Sequence, residues 1–118
     1  MRNGSQITQE HSVQEQNEVQ EHIIRWNRLV RICKGITNKK EVNINLTTMQ
    51  TDLRAGVIFN SNSANIVING GLCKRESDII EALAHEITHV VDNSQQHDNM
   101  FYERMEEIRS RIVAAYVN

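Results

Sequence analysis

The feature that most constrains this chain is a pair of histidines four residues apart in a helical stretch. His85 and His89 enclose Glu86, Ile87 and Thr88 in an HExxH pattern. Residues i and i+4 lie on the same face of an α-helix, one turn apart. Both imidazoles can therefore reach one metal ion if this segment is a helix, and the face of that helix then forms one wall of the site.

The pattern predicts a zinc site with hydrolytic chemistry. Imidazole nitrogen is a common ligand of Zn²⁺, so we predict His85 and His89 as metal ligands and Zn²⁺ as the cofactor. Glu86 adjoins the first ligand and is placed to act as the catalytic general base. These residues predict a zinc metalloendopeptidase with a protein or peptide substrate. The alternative is that both histidines are ordinary surface residues of an amphipathic helix.

One feature of the surroundings favours the metal site. Ala82, Ala84 and Thr88 are small, and we expect them to leave room around the ion. A catalytic zinc also needs a third protein ligand and an open position. Five downstream residues could supply the ligand or support it: Asp92, His97, Glu103, Glu106 and Glu107. Asp92 suits a hydrogen bond to a ligand histidine, and Glu106 suits a solvated helix face.

Hydrophobic periodicity predicts an α+β fold with a single domain over residues 13–118, after a polar tail at residues 1–12. We expect an N-terminal helix from about Val13 to Cys33, stopped by Gly35, with Ile23, Trp26 and Leu29 on its apolar face. A small three-stranded sheet should follow, its strands at Val42–Leu46, Ala55–Phe59 and Asn65–Asn69, the last two forming a hairpin. The HExxH helix should run from Ser77, its N-cap, to Asn93, and the C-terminal helix from Asp98 to Tyr116.

Composition excludes several functional classes. The net charge is −2 and basic residues form no long stripe, so we expect no nucleic-acid partner. No apolar run approaches the ~20 residues that span a bilayer. Residues 1–20 lack the apolar centre of a secretory signal and are too acidic for a presequence. Cys33 and Cys73 could form one disulfide or remain two buried thiols.

From Gly56 to Ala114 the sequence resembles the mitochondrial intermembrane-space metalloproteases that mature a subunit of ATP synthase and assist its assembly. The similarity rests on Phe59, Ile66-Val67, the HExxH followed by Val90-Val91-Asp92, a histidine at position 97, and Glu107-Ile108-Arg109. Members of that family usually carry cysteines where this chain has Asn69 and Met105. The resemblance implies a zincin-like minimal metalloprotease fold.

The resemblance also implies a location and partners. We expect a protein of the mitochondrial intermembrane space, peripheral to the inner membrane, with subunits of an inner-membrane complex such as ATP synthase as partners. It favours Glu107 as the third zinc ligand, since Glu107 begins the matching Glu-Ile-Arg and a helix holds a ligand rigidly. His97 is the main competitor, and Glu103 lies one turn earlier on the same edge.

Two other interpretations stay open at this point. One is an assembly factor or structural subunit of a mitochondrial complex that keeps the fold without proteolysis. The other is a DNA–protein-crosslink protease of the WLM or SprT-like kinds, which share an HExxH followed by a histidine-aspartate and a downstream aromatic residue. His97-Asp98 and Phe101 match that fragment.

Overall fold

The computed structural model describes residues 20–37 and 41–118. It contains a first helix, three strands and two further helices: α1 over residues 20–36, β1 Glu41–Thr47, β2 Ala55–Phe59, β3 Ser63–Asn69, α2 Glu76–Asp92 and α3 Asn99–Val117. This order confirms the predicted α+β architecture. The predicted tail and the start of the predicted first helix lie outside the described residues. None of the described helices combines the length and the hydropathy needed to span a bilayer.

The sheet has the strand order β1-β3-β2. β2 and β3 form the predicted antiparallel hairpin, in which Val57 pairs with Ile66. β1 pairs with β3 in parallel, with Ile44 opposite Ile66. The central strand β3 is therefore covered on both sides, and β2 lies at one edge of the sheet.

The core lies between the sheet and the helices. Alternate residues of β3, Ala64, Ile66 and Ile68, are fully buried, as period-2 patterning requires. Helix α2 contributes residues at helical spacing to the same core: Ile80, Leu83, Ala84, Ile87 and Val90. Helix α2 packs against β2, β3 and α3, so it is the element around which the molecule is organised.

Helix α1 differs from its prediction at both the face and the end. Leu29 and Cys33 are buried, but Ile23 is 52% exposed, so its expected place in the core is wrong. Gly35 does not stop the helix, which continues to residue 36. Thr37 closes it instead, since its hydroxyl donates to the carbonyls of Cys33 and Lys34.

Both cysteines are free and buried, which selects the two-thiol alternative. Desolvation raises the pKa of the Cys33 thiol to about 12, so it stays protonated and behaves as a small apolar residue of the core. Cys73 follows the sheet, and its thiol lies 3.7 Å from the carbonyl oxygen of Arg54.

Asn69, at the end of β3, is a fully buried polar residue. Its side-chain oxygen accepts from the backbone N–H groups of Met49 and Gly71, and its amide donates to the carbonyls of Met49, Thr51 and Leu53. A Cβ at position 71 would stand 3.2 Å from the Asn69 oxygen, a tight contact that glycine avoids. One side chain thus fixes the whole loop between β1 and β2.

Candidate metal centre

Helix α2 places its two histidines as predicted but begins earlier than predicted. It starts at Glu76, with Arg75 at the cap position and no side-chain cap, so the predicted Ser77 cap is wrong. Glu76 and Asp78 supply negative charge in the first turn instead, where it interacts favourably with the helix dipole. Further along the helix, His85 is half-buried and His89 is 2% exposed.

The chain after α2 is held by two successive helix caps. Asn93 adopts the left-handed conformation, with φ 53° and ψ 44°, and ends the helix. The N–H of Ser94 returns to the carbonyl of His89 at 3.2 Å, as in a Schellman-type ending. Asp98 then caps α3 by accepting a hydrogen bond from the N–H of Phe101 at 2.8 Å. His97 lies in this short, doubly capped link.

The link brings a third imidazole to the HExxH face. The Nε2 atoms of His85 and His97 are 3.1 Å apart, those of His89 and His97 are 3.0 Å apart, and those of His85 and His89 are 3.2 Å apart. Three nitrogens bound tetrahedrally to one zinc at Zn–N ≈ 2.0–2.1 Å are separated by about 3.3 Å. The triangle therefore has the size of a three-histidine zinc site.

Hydrogen bonding alone does not account for this triangle. Nδ1 of His89 lies 2.8 Å from the carbonyl oxygen of Ser94, to which it can only donate, so the neutral ring presents an unprotonated Nε2 to the cluster. A carbonyl behind a ligand histidine orients the ring of metal-binding imidazoles in this way. The described residues fit Zn²⁺, with His85, His89 and His97 as the group able to hold it.

Phe101 forms an apolar floor under the three rings. Its centroid lies 5.0, 4.5 and 5.0 Å from those of His85, His89 and His97. Phe101 is 1% exposed, so it also belongs to the protein interior. Desolvation, and then the neighbouring histidines, lower the pKa of His85; for His89 desolvation is again the largest cause. His85 and His89 are thus biased towards the neutral form, which is the form that binds metal.

Glu86 is the buried acid of the site. It is 6% exposed, and desolvation raises the pKa of its carboxyl group to about 7. A carboxylate with that pKa can take and return a proton near neutral pH. It lines a pocket together with His85, which gives it access to a molecule from outside.

The structure distributes the other candidate residues away from the cluster. Glu103, Glu106 and Glu107 are exposed on α3, and none belongs to the group of metal-ligating atoms among the described residues. Glu106 hydrogen-bonds Arg109. Asp92 pairs with Arg104 of α3, and the ring of His89 contacts the Ser94 carbonyl instead.

The distance of Glu107 from the cluster follows from helix geometry. Helix α3 begins beside the histidines, with Phe101 under the rings. Glu107 comes six residues after Phe101, and so about 9 Å further along the axis. The geometry gives no support to the prediction that Glu107 is the third ligand.

The expectation that Ala82, Ala84 and Thr88 all leave room around the ion is met by the first of them alone. Ala82 lines the pocket beside His85, as expected of a small residue that leaves space. Ala84 and Thr88 are fully buried instead, and the Thr88 hydroxyl donates to the Ala84 carbonyl at 2.6 Å. Sequence reasoning missed the role of Phe101, although the spacing His97-Asp98-x-x-Phe101 was the available signal.

The comparisons with known proteins agree with this site. The SprT-like family profile matches residues 5–116. No curated protein and no solved structure matches the chain significantly. The match supports a zinc metallopeptidase-like domain and adds nothing for the mitochondrial family whose sequence the chain resembles. Because the match covers nearly the whole chain and includes the histidine cluster, this protein belongs to the SprT-like family.

Proposed function

We propose that this protein is a zinc-dependent metalloendopeptidase of the SprT-like kind. The observation that carries the proposal is the triangle of Nε2 atoms of His85, His89 and His97, next to the buried carboxyl group of Glu86. In this proposal His97, and not Glu107, is the third ligand.

Each residue has a distinct part in peptide hydrolysis. When bound, Zn²⁺ polarises the substrate carbonyl and lowers the pKa of water towards 7. Glu86 takes a proton from the attacking water and returns it to the leaving amine. The Ser94 carbonyl holds the ring of His89 in place, and Phe101 keeps water from the cluster from below.

The edge strand β2 is placed to bind an extended peptide substrate. Arg54 and Ala55, at the start of β2, line the same pocket as His85 and Glu86. Gln95, from the link that carries His97, donates to the carbonyl of Val57 at 3.3 Å, so this strand lies against the metal loop. A peptide added along a sheet edge hydrogen-bonds through its main chain, which suits a protease with modest sequence preference.

Cleavage of an unstructured protein substrate tests the proposal. Casein, incubated with the chain and stoichiometric zinc, is expected to be cleaved, and a chelator should abolish cleavage. Glu86→Gln is the matched control, since it keeps size and removes the base; we expect it to bind zinc and lose about 10²–10⁴-fold in rate. Full activity in Glu86→Gln, or zinc binding without any cleavage by the wild type, would contradict the proposed function.

A second candidate is a protease for DNA–protein crosslinks. Family membership favours this candidate over the mitochondrial interpretation. The sequence fragment that it shares with such proteases also has clear positions in the structure: His97 joins the cluster, Asp98 caps α3, and Phe101 supports the rings. Stimulation of cleavage by single- or double-stranded DNA would support it, whereas indifference to DNA would favour a DNA-independent protease. The mitochondrial location, the ATP synthase partners and the non-proteolytic assembly role stay predictions.

A further inference from the structure

The pairing of β2 with β3 decides which main-chain groups of β2 face the free edge of the sheet. In an antiparallel pair, alternate residues turn both their N–H and C=O groups towards the partner strand, and the residues between them turn both groups away. At one end of β2 the N–H of Asn69 donates to the carbonyl of Arg54 at 2.7 Å. At the other end the N–H of Asn60 donates to the carbonyl of Ser63 at 2.8 Å. The even-numbered residues of β2 therefore face β3, and Val57 turns its N–H and C=O to the free edge.

The edge-facing carbonyl of Val57 already has a hydrogen-bond partner. The side-chain amide of Gln95 donates to it at 3.3 Å. An amide N–H of glutamine is the same kind of donor as a peptide N–H, so Gln95 takes the place that the main chain of an added strand would take. The contact also protects the edge, because an unpaired strand edge invites pairing with other chains. Gln95 thus blocks the middle of the edge on which an extended peptide would lie.

The blocked carbonyl lies on the path that leads to the proposed catalytic residues. Ala55, at the start of β2, lines the same pocket as His85 and Glu86. Val57 follows two residues later, about 7 Å further along the strand. A peptide that pairs with β2 beside the metal cluster therefore reaches Gln95. The side chain of Gln95 is exposed, so a peptide main chain, which supplies several such hydrogen bonds, can compete with it.

The link between α2 and α3 is held independently of Gln95. On one side of it the carbonyl oxygen of Ser94 lies 2.8 Å from Nδ1 of His89. On the other side Asp98 accepts a hydrogen bond from the N–H of Phe101 at 2.8 Å. The long side chain of Gln95 can therefore leave β2 without moving the ends of the link. We expect its departure to leave the metal cluster in place.

We propose that Gln95 is an autoinhibitory latch on the β2 edge, which a peptide substrate displaces when its main chain pairs with Val57. The inference rests on the proposed proteolytic function and adds a regulation of its substrate site. The latch is one exposed, neutral hydrogen bond, so its removal should raise peptide affinity by about twofold to fivefold. Because the competition is between main-chain and side-chain amides, the gain should not depend on the side chains of the peptide.

A binding experiment tests the latch without requiring turnover. The probe is a blocked hexa-alanine peptide with an uncharged fluorophore. Its affinity for the zinc-loaded full chain carrying Glu86→Gln is measured by fluorescence anisotropy. In this background Gln95→Ala should bind the peptide about twofold to fivefold more tightly. Gln95→Glu should have the same effect, because a carboxylate has a similar size and cannot donate to the Val57 carbonyl.

Two controls assign the gain to the latch. Gln96→Ala changes the neighbouring exposed glutamine, whose side chain forms no hydrogen bond with a described residue, and should keep the affinity of the parent. A second peptide with every main-chain nitrogen methylated cannot donate to a strand edge and should not distinguish Gln95→Ala from the parent. Zinc titration and thermal melts should give equal values for all these chains. Where Gln95→Ala does not fold, Gln95→Glu carries the test.

The outcomes separate the latch from the proposed function. Equal or weaker binding of the unmethylated peptide by Gln95→Ala, or no binding by any chain, overturns the latch. A gain that the methylated peptide shares, or a loss of zinc affinity in Gln95→Ala, also overturns it. If Gln95→Ala gains affinity while the wild-type chain cleaves nothing, the latch stands and the protease proposal is wrong. If casein is cleaved while Gln95→Ala gains nothing, the protease proposal stands and the latch is wrong.

Discussion

Two polar clusters in this molecule have opposite hydrogen-bond balances. Asn69 is fully buried, and its oxygen and amide nitrogen reach five backbone groups. The Nε2 atoms of His85, His89 and His97 face only one another at 3.0–3.2 Å. A cluster whose bonds are satisfied within the protein stabilises the fold, whereas convergent lone pairs require a ligand. Hydrogen-bond completeness separates the structural cluster from the candidate site, whereas burial alone does not, since His89 is nearly as buried as Asn69.

The largest expected effect is the loss of zinc affinity when one of the three histidines is removed. His97→Ala should lower zinc affinity by more than about 100-fold, because loss of a direct ligand costs more than the 10–100-fold typical of the groups that support ligands. Glu107→Gln should leave affinity unchanged, since this side chain is exposed on α3. Competition with a chromogenic chelator measures both. If only Glu107→Gln releases zinc, the original prediction from the sequence is right and the three-histidine site is wrong.

Asn69→Ala should have the opposite effect, lowering the stability of the fold while keeping the affinity for zinc. It leaves several buried backbone groups of the loop without partners, at about 1–3 kcal/mol each before relaxation, so we expect a total loss of about 2–4 kcal/mol in the free energy of unfolding. Folded protein should still bind one zinc. Urea denaturation and zinc titration on the same sample measure the two properties. A large loss of zinc affinity at full stability would show that the two clusters are coupled.

A substitution at the Asn93 cap should give the smallest effect. It should affect both properties, the stability of the fold and the affinity for zinc. Asn93→Val places a β-branched residue at φ 53°, which costs roughly 1–2 kcal/mol of stability and disturbs the Ser94 carbonyl behind His89. We expect about a tenfold loss of zinc affinity. Asn93→Gly suits the left-handed conformation and is the matched control. Equal zinc affinity in both variants would show that the carbonyl has no part in orienting His89.

The sequence was most informative where one local rule decides the structure. The HExxH spacing fixes the helix face of His85 and His89, and the alternation of apolar and polar residues predicted β1 as a half-buried strand, in which Val42 and Ile44 are buried. It was less informative where the outcome depends on tertiary contacts. The preference for Glu107 assumed that a loop holds a ligand loosely, but the link that carries His97 is fixed by an αL cap at one end and by Asp98 at the other.

The parallel pairing of β1 with β3 was equally beyond local patterning. Val42 and Ile44 alternate with polar residues whichever direction the partner strand runs. The role of Asn69 was hidden for a similar reason, because its partners lie in the loop between β1 and β2 and no spacing rule links them. Ile23 was misplaced because an apolar stripe on a helix does not reveal how far the neighbouring elements extend.

The closeness of the site residues along the chain has a consequence for folding. The three imidazoles come from positions 4, 8 and 12 residues apart in pairs, whereas the first pair of β1 and β3 joins Glu41 to Ser63. The entropy lost on closing a loop rises with its length, and contacts between near neighbours form fastest. Chain entropy therefore favours assembly of the helix–link–helix segment, which carries all three histidines, ahead of the parallel strand pair.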